Sequence, residues 1–113
     1  MARYDHLPVY KVSYELLILI FQITKDFSRE YKYTIGQELK KEATLMITNI
    51  YRANSRIDKK ELIQKAGENI EVIRLYFRLL KDLEQIGVKK LILANERIES
   101  ISKQLGAWAR AFS

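Results

Sequence analysis

Few residues of this 113-residue chain could carry out a reaction, and they are poorly grouped. The one histidine, His6, stands alone in the N-terminal segment, with no carboxylate held near it by spacing. It reads as a solvated arm residue. There is no cysteine, so disulfides and thiolate metal sites are excluded. Paired acids occur, as in Glu68 with Glu71 and Glu96 with Glu99. Their spacing, with Lys and Arg partners nearby, is that of a wet helix face. A carboxylate-bridged dimetal bundle needs Glu-x-x-His motifs, and the sequence has none. No Gly-rich phosphate loop and no nucleophile elbow is present. The expectation is a protein with no catalytic residue, no metal ligand and no cofactor.

Positive charge is the stronger signal. Lys and Arg number 20 against 14 Asp and Glu, a net charge of +6. Arg52, Arg56, Lys59 and Lys60 crowd one short segment, opposed there only by Asp58. Lys89 and Lys90 form a second pair, and Arg29 and Lys32 lie near Lys25. Such clusters attract phosphates. Tyr31 and Tyr33, beside Arg29 and Lys32, add faces on which unpaired bases could stack. A single Lys pair needs no such explanation, because Lys is a good helix former. It is the charge of the whole, on a domain this small, that favours a nucleic-acid partner.

The elements that must position these residues are helical. Only 4 Gly and 1 Pro occur, while 48% of residues are hydrophobic. Barrels and sandwiches, which need many sharp turns, are disfavoured. The expectation is an all-α chain, one domain over residues 1–113. Pro8 opens a first helix running to about 26, striped by Val9, Val12, Leu16, Leu19, Ile20, Ile23 and Phe27. Residues 27–33 read as a connection. Thr34 and Gln37 have capping-box spacing for a second helix to about 54, with Ile35, Leu39, Ala43, Met46, Ile47 and Ile50 inward and Glu38, Lys40, Lys41 and Glu42 outward. Gly36 in its first turn suggests close approach of another helix. A third helix is expected over about 58–86, stopped by Gly87 at its C-terminal cap. Its inward stripe is Leu62, Ala66, Ile70, Ile73, Phe77 and Leu80. A fourth runs over about 88–111 on Leu91, Ala94, Ile98, Ile101, Leu105 and Trp108.

Short connections make an antiparallel up-down-up-down four-helix bundle the economical arrangement. That threading sorts much of the basic charge to the ends. Arg52, Arg56, Lys59 and Lys60 would join Arg3 and Arg110, and Lys25, Arg29, Lys32, Lys89 and Lys90 would gather opposite. Two helices also carry more apolar residues than one core uses: Tyr10, Tyr14 and Phe21 on the first, and Leu75, Tyr76 and Leu79 on the third. These surplus stripes call for self-association or a partner. Asn49, beside Ile50, reads as a helix-interior amide that bonds across helices or sets register. The longest apolar run, Leu16 to Phe21, is far short of the ~20 residues a membrane span needs. The N-terminus lacks the apolar core of a signal peptide, so a cytoplasmic location is expected.

The segments Leu7-Pro-Val-Tyr10, Tyr31-Lys-Tyr-Thr-Ile-Gly-Gln-Glu-Leu-Lys-Lys-Glu-Ala43, Asn49-Ile-Tyr-Arg-Ala53 and Ser100-Ile-Ser-Lys-Gln-Leu-Gly-Ala-Trp108 resemble a four-helix-bundle family. It includes proteins encoded in 23S rRNA intervening sequences and the accessory variability determinants of diversity-generating retroelements. The resemblance covers essentially the whole chain. The intervening-sequence branch tends to have Asn-Ile-Ala-Glu-Gly where Asn49-Ile50 is followed here by Tyr51-Arg52-Ala53, so the retroelement branch fits better. What that branch implies is a pentameric barrel of bundles that binds the element's reverse transcriptase and its template RNA, with DNA as a further partner. It would support mutagenic retrohoming without being the catalyst. An intervening-sequence protein and a protein-only interaction module are the alternatives.

Overall fold

Pro8 can open a helix because its missing N–H would be unpaired in a first turn. In the computed structural model, which describes residues 7–55 and 59–112, helix α1 spans Pro8–Ile23 behind an extended Leu7. The first helix was expected to reach about 26. The α-helix instead gives way to a 3₁₀ turn at Thr24–Asp26, and the Thr24 hydroxyl donates to the Phe21 carbonyl at 3.2 Å. The chain then turns extended at Phe27, whose ring enters the core. The stripe's last member, Phe27, is buried as its spacing suggests, but it reaches the core from extended backbone beyond the helix, a tertiary demand that periodicity does not contain.

The connection expected over 27–33 holds a one-turn helix, α2, at Arg29–Lys32. Helix α3 follows at Ile35–Ser55. Thr34 does not play the capping role its spacing suggests. Its hydroxyl donates to the Glu30 carbonyl at 2.8 Å, closing the preceding turn. Gly36 does serve close approach: a Cβ there would stand 3.2 Å from the Tyr31 carbonyl oxygen, so glycine lets α3 start hard against α2.

Helix α4 spans Lys59–Asp82 and α5 spans Val88–Ala111. The inward stripe of α4 begins at Ile63 rather than Leu62, which is only partly covered. Ile63, Ala66, Ile70, Ile73, Phe77 and Leu80 alternate steps of three and four, whereas a start at Leu62 takes two four-residue steps in a row and rotates that residue off the line. The expected stop at Gly87 is corrected too. Helix α4 ends four residues before about 86, and Glu84 takes the left-handed conformation with φ 57°. The Gln85 amide donates to the Leu80 carbonyl at 2.9 Å and the Glu84 amide to Lys81 at 3.0 Å. These two bonds are the Schellman pattern with Glu84 at C′. Gly87 has φ −76° and caps the start of α5.

Helix α1 packs on α3 and α5, and α4 also packs on α3 and α5, so α1 and α4 lie across the bundle from one another. The described residues fill 43 × 22 × 22 Å. The long dimension agrees with helices of 24 residues at about 1.5 Å each. Leu16, Ile20, Leu39, Met46, Ile50, Ile73, Phe77, Ile98 and Ile101 form a fully buried centre. Ser13 is buried among these helices with its hydroxyl unpartnered.

Candidate nucleic-acid and partner interfaces

One hydrogen bond settles which basic residues share an end. The Ser28 amide, in the connection before α2, donates to the Gln85 side-chain oxygen at 2.8 Å, in the connection before α5. Lys25, Arg29 and Lys32 are thereby gathered at the same end as Lys89 and Lys90. Four of these five are exposed and Lys32 is half-buried. Among the described residues none of the five is in an ion pair. Asp26, Glu30 and Glu84 lie at the same end and temper the field. The two tyrosines part company here. Tyr31 packs against the core, while Tyr33, at the end of α2, is 62% exposed.

The other cluster is arranged differently from its reading as four equivalent cations. The Lys59 ammonium donates to the Ala53 carbonyl at 3.0 Å and to the Asn54 carbonyl at 3.4 Å. It also sits 5.9 Å from the Phe112 ring centroid. It therefore satisfies the C-terminal carbonyls of α3 and joins the start of α4 to the end of α5. Arg52 and Lys60 are exposed, and Arg110 lies exposed near the end of α5. Arg56 lies outside the described residues, as do Arg3, His6 and Asp58.

The surplus apolar residues form two faces. On α1, Tyr10 stacks on Tyr14 with centroids 6.2 Å apart, and Tyr14, Ile18 and Phe21 are exposed. Lys40 holds its ammonium 5.4 Å from the Phe21 centroid. Helix α3 adds Leu45 and Tyr51, which the inward-stripe reading passed over, although their offset from that stripe was visible in the sequence. On α4, Leu75 is 62% exposed and Leu79 is exposed beside it, whereas Tyr76 is partly buried. Val88 and Ile92 at the start of α5 are exposed as well and were not anticipated.

Asn49 does bond across helices. Its amide donates to the Asn69 side-chain oxygen at 2.9 Å, and the Asn69 amide donates to Glu42 at 2.6 Å. Glu42, expected on the wet side, is half-buried, because this chain of bonds draws it between α3 and α4. Arg74 joins Glu71 on α4 to Glu99 on α5, and Arg97 reaches Glu15 on α1 at 3.8 Å. Of the paired acids, Glu71 and Glu99 are thus held by one arginine, and Glu99 is the one bonded across helices. Among the described residues, no group of three or more His, Cys, Asp or Glu side chains is placed to hold a metal ion. No helix of the described residues is long and apolar enough to cross a membrane.

Comparison with known proteins places these features in context. A family model described as bAvd-like matches residues 9–112. The match falls on the retroelement side of the resemblance seen in the sequence. No curated protein matches the chain.

Proposed function

The chain belongs to the bAvd-like family, and on that premise we propose that it is a non-catalytic accessory protein of a diversity-generating retroelement. It is read as an up-down-up-down bundle that assembles into a homopentameric barrel. The barrel holds the element's reverse transcriptase and its template RNA, and the DNA copied from it, in support of mutagenic retrohoming. The family match carries this reading.

Two features support it. A closed ring of identical subunits needs two different faces on each, since its contacts are head-to-tail. The Tyr14–Phe21 face of α1 and the Leu75–Leu79 face of α4 are two such faces, borne by helices across the bundle from each other. Exposed cations, Arg52 and Lys60 at one end and Lys25, Arg29, Lys89 and Lys90 at the other, supply the attraction to phosphate, multiplied by the number of subunits.

The test immobilises the protein and passes over it a retroelement reverse transcriptase and template RNA. Both should be retained, with RNA retention falling steeply as salt rises. Reversing Arg52, Arg56 and Lys60 to Glu, while leaving the structural Lys59 in place, should weaken RNA retention and flatten its salt dependence. Failure to retain either ligand would overturn the proposal.

A further inference from the structure

The Tyr33 side chain makes no hydrogen bond, ion pair or ring contact among the described residues. It is the most exposed aromatic side chain among the described residues, at 62%, while Tyr31 two residues earlier anchors the same turn in the core. The turn that presents it is firmly tied. The Tyr31 and Lys32 amides both donate to the Ser28 carbonyl, at 3.0 and 2.9 Å. The Thr34 hydroxyl closes onto Glu30, and Gly36 presses against the Tyr31 carbonyl. Ser28 is bonded in turn to Gln85 across the bundle end. Tyr33 is thus a large flat ring displayed on an immobilised turn, with little entropy left to lose on meeting a ligand.

Its surroundings distinguish it from the exposed aromatics of α1. Tyr14 and Phe21 share a helix face with Ile18, an apolar stripe suited to another protein surface. Tyr33 instead follows Arg29 and Lys32, both without ion-pair partners among the described residues, and precedes the polar Thr34. A lone aromatic among free cations matches a nucleotide, whose base offers a π-face and whose phosphates offer charge. The acids Asp26, Glu30 and Glu84 at this end limit how strongly a duplex backbone could be gripped here by charge alone. Stacking must then supply the selectivity, and stacking requires an unpaired base.

We propose that Tyr33, flanked by Arg29 and Lys32, is a stacking platform for an unpaired base of a single-stranded nucleic acid. The inference rests on the nucleic-acid reading above and narrows it from any polyanion to a single strand at this end of the bundle. The test is fluorescence anisotropy with three labelled probes of about 12 nucleotides, within the span one such groove covers. They are an unstructured single-stranded RNA, a duplex of the same length, and an abasic strand carrying the same phosphates. Tyr33→Ala should weaken binding of the single strand about tenfold and leave the duplex, the abasic strand and the salt slope unchanged. Tyr33→Phe, which keeps the ring, should bind the single strand as the parent does. Helical circular dichroism and elution volume of both variants should match the parent, because the side chain is exposed. A Tyr33→Ala protein that holds the single strand as tightly as the parent, or that loses single strand and duplex alike, overturns the platform alone. A parent that binds none of the three probes overturns the nucleic-acid reading and the platform with it.

Discussion

Replacing Glu84 with Gly should stabilise this protein, and the size of the gain follows from one dihedral angle. Glu84 sits at φ 57°, in the C′ position of α4, where a side chain crowds the following carbonyl. Holding an L-residue in that region costs about 1–2 kcal/mol. Glycine escapes that cost but gives back about 0.5–1 kcal/mol through its freer unfolded chain. Removing an acid from a helix C-terminus adds about 0.3–1 kcal/mol, since the helix dipole is negative there. The net expectation is a gain of about 1.4 kcal/mol, or roughly 6 °C in Tm for a chain of this length. Glu84→Ala separates the contributions, because it removes the charge but keeps Cβ. It should fall well short of Glu84→Gly. Thermal and urea unfolding followed by circular dichroism at one fixed protein concentration would measure both, since assembly couples to stability. A Gly variant no more stable than the Ala variant would refute the argument from backbone strain.

Ser13→Ala should raise stability by about 1 kcal/mol, because it removes a buried hydroxyl that has no partner; a loss of stability in the same unfolding assay would show that the hydroxyl is satisfied. Asn69→Ala should cost about 1–2 kcal/mol by stranding both the Asn49 amide and the Glu42 carboxylate. A double-mutant cycle with Asn49→Ala should show a combined loss smaller than the sum, and strict additivity would contradict the bonded chain. Leu75→Glu on α4 should reduce the apparent mass in light scattering while leaving helix content intact, since Leu75 is exposed within one chain. An unchanged mass would remove that face from the assembly.

The core was legible because burial in a helix repeats every three or four residues. Leu16, Ile20, Leu39, Met46, Ile73 and Ile98 follow that rule without exception. The helix ends were less legible because other parts of the fold decide them. Phe27 leaves the first helix to reach the core, and Thr34 bonds backwards to Glu30. Gly87 drew attention as a helix stop because glycine is the usual C′ residue, yet Glu84 carries that strain. The functional surface was legible as charge and as surplus apolar stripes. Which members of each set stay free was not. Lys59 folds back onto the end of α3, and only Tyr33 of the tyrosine pair faces outward. Asn49 announced a cross-helix bond, but its partner Asn69 looked like any surface amide until α3 and α4 were brought together.

The most direct test of the scaffold account is the mass of the particle in solution. Gel filtration with light scattering would be run on the protein alone and then with a retroelement reverse transcriptase. The account predicts a particle of about five times the 13.4 kDa chain, as a closed ring would give, that takes up the enzyme and elutes with it as a larger complex. A 13.4 kDa species that leaves the enzyme's elution unchanged would contradict it.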